Sequence, residues 1–233
     1  MIQAIDLTKK YGDFLALDNL TLSIKAGHIY CLLGANGAGK STTINLFLGF
    51  TTPSTGKTLI DNIEIKPKEN TTKSILAYIP ENLMLYPLLT GIENLDYFSR
   101  LAKKEYSKQQ LKEFLNQAGL SELAFDKRVE TYSKGMRQKV GIAIALAKEA
   151  KALFLDEPTS GLDPRASNEF SEILLSLKEK GVAILMATHD IFRAKQVATY
   201  IGIMKEGKLV HQFENSQITL AQLEQTYLDT IKA

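Results

Sequence analysis

The sequence has one cysteine, Cys31, among its 233 residues. An internal disulfide is therefore impossible, and a reducing compartment is expected. Cys31 lies in an apolar run of strand length and reads as a small buried core residue. Long apolar stretches are also missing. The longest, Val140 to Ala147, falls far short of the ~20 residues that cross a bilayer. No basic-then-apolar leader precedes the first strand, so the chain is expected to be neither exported nor membrane-spanning. There is no excess of one charge either. With 28 basic against 26 acidic residues and a net charge of +2, nothing global favours nucleic acid or an anionic lipid surface. Repeats and low-complexity linkers are absent. What remains, 45% hydrophobic and 23% charged, suits one large domain or one domain carrying an inserted subdomain.

The most informative stretch is GANGAGKST, Gly34 to Thr42. It fits G-x-x-x-x-G-K-[ST] with Gly34, Gly39, Lys40 and Ser41 on the fixed positions and Gly37 as an additional glycine. HIYCLL precedes it as a strand, and TTINLFLGF follows it with Ile44, Phe47 and Leu48 at helical spacing. Strand, glycine-rich turn and helix thus come in the order that makes a phosphate cradle from backbone N–H groups and a helix N-terminus. Asn36, Ala38 and Thr42 complete the loop. Lys40 is expected to reach the β- and γ-phosphates as a point charge, and Ser41 to take a position on Mg²⁺.

Before this loop, IQAIDLTKKY and LALDNLTLSI alternate as half-buried strands. Tyr11, at the end of the first, reads from its neighbours alone as a packing tyrosine, although its ring could stack on a purine. After the loop, KTLIDNIEI reads as two short strands and SILAYI as another, ending at Pro80 with Glu81 beyond it. From Gly91 to Gln117 the pattern is helical, with Ile92, Leu95, Phe98 and Leu101 on one face. A second apolar helix follows at KVGIAIALAKEA. The strand KALFLDEP then runs into Asp156 and Glu157, a pair of carboxylates where strand ends gather a ligand site. Pro164 opens a helix with Phe170, Ile173, Leu174 and Leu177 facing inward. The strand VAILMAT ends at His189, a third strand-end polar residue. A hairpin through Glu206 and Gly207 and a closing amphipathic helix finish the chain.

Together these stretches resemble the ATP-binding subunit of an ABC transporter, over essentially the whole chain. GANGAGKST is similar to that family's Walker A, ALFLDEP to its Walker B, TSGLDP to its D-loop and ATHD to its switch-histidine segment. YSKGMRQKVGIA, from Tyr132, resembles the signature region that sets the family apart, with Ser133 and Gly135 on its serine and second glycine. The YSKGM variant is similar to the branch that drives ABC-2-type, drug-export-like transporters.

The resemblance implies an α/β P-loop NTPase fold: a mainly parallel core sheet, an antiparallel β-subdomain and an inserted α-helical subdomain. The core and β-subdomain would take about 1–85 and 147–215, the helical part about 86–146, and a C-terminal helix about 216–233. It implies that two copies, identical or related, close head-to-tail over two ATP–Mg²⁺. Ser133 and Gly135 of one chain, with Asp163 of the D-loop nearby, would then complete the site of the other. Tyr11 becomes the adenine-stacking residue. Asp156 would hold Mg²⁺, Glu157 would act as general base, and His189 would bridge the γ-phosphate and the opposing D-loop. Where the family has its Q-loop glutamine this chain has Glu81, a possible further metal ligand and also a source of repulsion. The implied partner is a separate integral-membrane permease, to which this chain would dock as a peripheral subunit on the cytoplasmic face through the helical block and the Glu81 loop, with no nucleic acid involved. The alternative is a soluble ABC ATPase of translation or DNA repair; Lys40 and Asp156 stand too close in sequence to leave room for the coiled-coil arms of the repair type.

Overall fold

The computed structural model describes residues 1–66 and 71–232. Its central sheet has six strands in the order β10-β9-β3-β8-β7-β6. These are β3 (Ile29–Leu33), β6 (Leu76–Ile79), β7 (Ala152–Asp156), β8 (Ala183–Thr188), β9 (Tyr200–Lys205) and β10 (Lys208–Glu214). All neighbours pair in parallel except β10, which turns back on β9. Glu206 and Gly207 make that turn, both in the left-handed region at φ 49° and 79°, the conformation that a two-residue hairpin matching strand twist requires.

Parallel strands covered on both faces need apolar residues at every position, and β3 and β8 are buried throughout. Alternation then sorts their side chains. Cys31, Leu33, Leu153, Leu155, Ile184 and Met186 face a layer of helices, chiefly α4 (Lys134–Ala147) and α5 (Pro164–Glu179). Tyr30, Leu32, Phe154 and Leu185 face the other way, towards α1 (Lys40–Phe47) and a second sheet. Phe47 and Phe154 stack there with centroids 5.4 Å apart. Cys31 is fully buried, as expected of a core cysteine.

The second sheet is antiparallel, in the order β2-β1-β4-β5, from β1 (Ile2–Tyr11), β2 (Phe14–Ile24), β4 (Thr55–Ile60) and β5 (Ile63–Glu64). Its inner face, including Leu7, Leu17 and Ile24, packs into the same layer as α1. The stretch expected to be helical from Gly91 to Gln117 is two helices, α2 (Gly91–Leu101) and α3 (Lys108–Gln117). Lys103 at φ 60° ends the first, and Ser107 starts the second with a capping box to Gln110. Thr90 and Glu93 do the same for α2. Helices α6 (Ile191–Val197) and α7 (Leu220–Lys232) close the molecule. Residue 233, the end of the expected closing helix, lies outside the described residues.

Candidate functional site

Register brings the polar strand ends together. Leu33 of β3 lies opposite Thr188 of β8, and Asp156 of β7 opposite Ala187. Gly34, the Asp156–Glu157 pair and His189 therefore leave the sheet along one edge, beyond the carboxyl ends of parallel strands where open α/β sheets place their ligands.

The loop from Gly34 to Gly39 is shaped by its glycines. Gly39 has φ 103°, and a Cβ there would lie 2.8 Å from the Ala16 carbonyl oxygen and 2.8 Å from Leu17 Cδ2. Gly37, at φ 82°, has nothing within 4 Å of that position; it is needed for its backbone conformation alone. The hairpin after β9 pins the loop, since Gly207 N donates to the Ala38 carbonyl at 3.1 Å. No side chain caps the start of α1, so its first N–H groups stay available to an anion. A cleft of about 280 Å³ results, lined by Ala35 to Thr42 with Phe14, Ala16, Glu81, Asp156 and Glu157.

Lys40 is only 6% exposed. Its ammonium donates to the carbonyls of Gly34 (2.6 Å) and Ala35 (3.2 Å) and stands 3.6 Å from Glu157 Oε1. Glu157 has the left-handed φ of 45°, a strained conformation for a non-glycine residue, and its N–H donates to Ala187 O at 2.9 Å. Its two carboxylate oxygens differ. Oε2 accepts from His189 N at 3.3 Å and lies 3.0 Å from His189 Nδ1. Oε1 is buried and accepts no hydrogen bond among the described residues.

Burial raises the Asp156 carboxyl above the ordinary aspartate value, while Ser41 and Lys40 pull it down and the charges of Glu157 and Glu81 push it further up. A carboxylate in that setting is one that a cation would relieve. The hard oxygen donors of Ser41 and Asp156, next to a phosphate cradle, fit Mg²⁺, which keeps few protein ligands and shares the rest with phosphate and water.

Tyr11 ends β1, is 47% exposed and carries Lys9 Nζ 4.6 Å from its ring centroid. Phe14 pairs with it across the hairpin, is 64% exposed and lines the cleft. Sequence reasoning missed Phe14; its place three residues after Tyr11, at the head of β2, is the one available signal. Glu81 lines the cleft too, but Ser160 Oγ donates to its Oε1 at 2.9 Å and Lys134 Nζ stands 3.7 Å from the same oxygen. The contacts that Ser160, Lys134 and Gln138 make with Glu81 are likewise not legible in the sequence.

Ser133 and Gly135 do not line this cleft. Ser133 is the exposed N-cap of α4, with Oγ accepting from Met136 N at 3.3 Å. Tyr132 before it is buried, donates its hydroxyl to Ala124 O at 2.5 Å, and occupies the space that a Cβ on Gly91 would need. The tyrosine thus anchors the serine at the surface. Asp163 is the N-cap of α5, accepting from Ala166 N at 2.8 Å.

The ABC transporter family model matches residues 17–160. The probable multidrug ABC transporter ATP-binding protein YbhF of Escherichia coli is 35% identical over 212 residues, 90% of this chain, which spans only 36% of that protein's length. The lantibiotic transport ATP-binding protein SrtF of Streptococcus pyogenes is 34% identical over 92% of this chain and 91% of its own length. Among solved structures, the dimeric MJ0796, a bacterial ABC transporter cassette, superposes with a TM-score of 0.82 at 28% identity, covering 92% of this chain and 99% of that one. A post-hydrolysis dimer of the same cassette with ADP and Pi gives 0.80 at 29% identity, again over 92% of this chain and 99% of that one. A sheet edge built to receive a triphosphate, in a chain matched by the family over more than half its length, admits one conclusion: the chain belongs to the ABC transporter family, as an ATP-binding cassette.

Proposed function

We propose that the chain is the ATP-hydrolysing motor subunit of an exporter-type ABC transporter, working in a head-to-tail dimer against a separate membrane permease. The observation that carries this is the division of Glu157: one carboxylate oxygen held by His189, the other buried, without a hydrogen bond among the described residues, and facing Lys40. A carboxylate so oriented is equipped to take a proton from a water aimed at a γ-phosphate.

In the proposed reaction, ATP and water give ADP and phosphate. The loop from Gly34 through Asn36, Gly37, Ala38 and Gly39 to Thr42 grips the phosphates with backbone N–H groups. Lys40 leaves its loop carbonyls for the β- and γ-oxygens. Water oxygen bonds to the γ-phosphorus as its bond to the β–γ bridging oxygen breaks, and the water's proton passes to Glu157 Oε1. His189 keeps that carboxylate in place. Ser41 and Asp156, with Glu81 as a further carboxylate, would hold Mg²⁺, which when bound neutralises charge developing on the phosphate oxygens. Tyr11 stacks on adenine, and Ser133, Gly135 and the D-loop at Asp163 close the site from the partner protomer. The nucleotide-binding core and β-subdomain take about 1–85 and 147–215, and the helical subdomain about 86–146.

Export is favoured by the multidrug and lantibiotic relatives. Docking to a permease is favoured by Met84, Tyr86 and Leu88, large apolar side chains left exposed just after Glu81. Among the described residues no helix is long and apolar enough to cross a membrane. The test is to purify the chain from detergent-solubilised membranes of its own cells. Recovery with an integral-membrane protein that stimulates its ATPase supports the motor reading; full activity with ribosomes or DNA and no membrane partner would overturn it.

A further inference from the structure

Among the described residues that line the cleft, Glu81 adds a third carboxylate to Asp156 and Glu157, against one ammonium, that of Lys40. Each of those carboxylates repels an entering triphosphate, and a cation held beside one of them lessens that repulsion. The side chain that reaches Glu81 comes from the signature helix. Lys134, the first residue of α4, stands 3.7 Å from Glu81 Oε1, and Ser160 donates to the same oxygen at 2.9 Å. One turn further along the same face of α4, the buried Gln138 donates its amide to the carbonyls of Pro80 and Glu81, each at 3.3 Å. The helix therefore holds both the backbone and the side chain of Glu81.

We propose that Lys134 is a positioning residue for the phosphate site, acting through Glu81: it tethers that carboxylate against Ser160 and cancels its charge at the mouth of the cleft. Carboxylate at 81 and ammonium at 134 are then one compensated unit, in which the lysine makes the acid tolerable beside a triphosphate. The pair also ties a chain's own phosphate site to Ser133, the neighbouring residue that the proposed function offers to the partner. This inference rests on that reading of Glu81 as part of the site.

The test uses the whole chain and a fluorescent mant-ATP titration in EDTA, so that no metal contributes, at low and at moderate salt. K134A should weaken binding about two- to fivefold at low salt, the range of a half-exposed ion pair, and less at moderate salt. K134A/E81Q should bind as tightly as the unaltered chain, K134R should keep most of the affinity, and E81Q alone, which leaves the Lys134 charge uncancelled, should bind more tightly than the unaltered chain. Equal loss in K134A and K134A/E81Q, or no loss in K134A, overturns the pairing. E81Q is also titrated with Mg²⁺ added; a shift there, with no coupling in EDTA, leaves Glu81 in the site and removes only Lys134. No change in E81Q under either condition removes Glu81 from the site, and the inference with it. Thermal unfolding of each variant identifies any that is misfolded, and K134R then carries the comparison.

Discussion

His189 Nδ1 lies 3.0 Å from Glu157 Oε2, so the histidine at the end of β8 orients the carboxylate at the end of β7. Glu157→Gln keeps the shape of that side chain and removes its basicity. Turnover should fall by roughly 10²- to 10⁴-fold with ATP affinity retained, and ATP should trap a closed dimer. Phosphate release and sedimentation in ATP measure the two effects. His189→Ala should cost less than Glu157→Gln, since Glu157, the proposed base, remains and only its orientation is lost; a larger loss would make the histidine the primary group.

Asp156 predicts a trade between stability and function. Its carboxyl is raised by burial first, so between the ordinary aspartate value and the raised one the folded state binds more protons than the unfolded state. Stability contributed by this group therefore falls as pH rises through that window and stays lower at neutral pH. Asp156→Asn removes the cost. Without nucleotide or metal, its unfolding temperature at pH 7 should exceed that of the unaltered chain, and the difference should shrink as pH drops into the window. In the same variant, the Mg²⁺ needed for turnover should rise roughly 10- to 100-fold if Asp156 helps to hold the ion as proposed. An unfolding temperature lower at pH 7 would contradict the burial argument.

Much of this site is written in contiguous residues, because its chemistry depends on local backbone. Gly34 to Thr42 had to be a strand-to-helix turn, since glycines at 37 and 39 take conformations that other residues resist. The buried runs of β3, β7 and β8 identify a covered parallel sheet, and polar residues just past their ends fall on one edge by topology alone. What local pattern does not carry is contact between distant segments. Ser160 and Lys134 meet at Glu81 from far along the chain, and neither looks unusual beside its own neighbours. Phe14 reads as one more strand residue until the loop is seen opposite it. The break between α2 and α3 was missed because Ser107 caps a new helix whose apolar positions continue the earlier spacing.

Two loop glycines separate conformation from space. At Gly37 an added methyl meets nothing within 4 Å and only the left-handed φ is penalised, whereas at Gly39 it also meets Ala16 O and Leu17 Cδ2 at 2.8 Å. Gly37→Ala should cost about 1 kcal/mol of stability, and Gly39→Ala about 2–3 kcal/mol or more. Urea unfolding of both variants checks this; equal losses would mean that the loop does not lie against β2 as closely as described.

Ser133 offers the sharpest test of a shared site, because its surroundings are so well fixed on one side and so open on the other. Tyr132 is buried beneath it, while Ser133 itself is exposed and spends its hydroxyl oxygen on the N–H of Met136 at 3.3 Å. Ser133→Arg therefore loses one helix cap, about 1 kcal/mol, without disturbing a core. Monomer stability should change by no more than that, and ATP binding to the monomer should be unchanged, since the residue does not line its own chain's cleft. Dimer closure in ATP, followed by light scattering on the Glu157→Gln background, should be abolished, because in the proposed head-to-tail dimer a bulky side chain would stand where the partner's nucleotide approaches. In a mixture of Ser133→Arg with a Lys40→Ala chain, one composite site would join two unaltered halves and recover part of the turnover. Closure at normal ATP concentrations in Ser133→Arg alone would mean that nucleotide is held by one chain only.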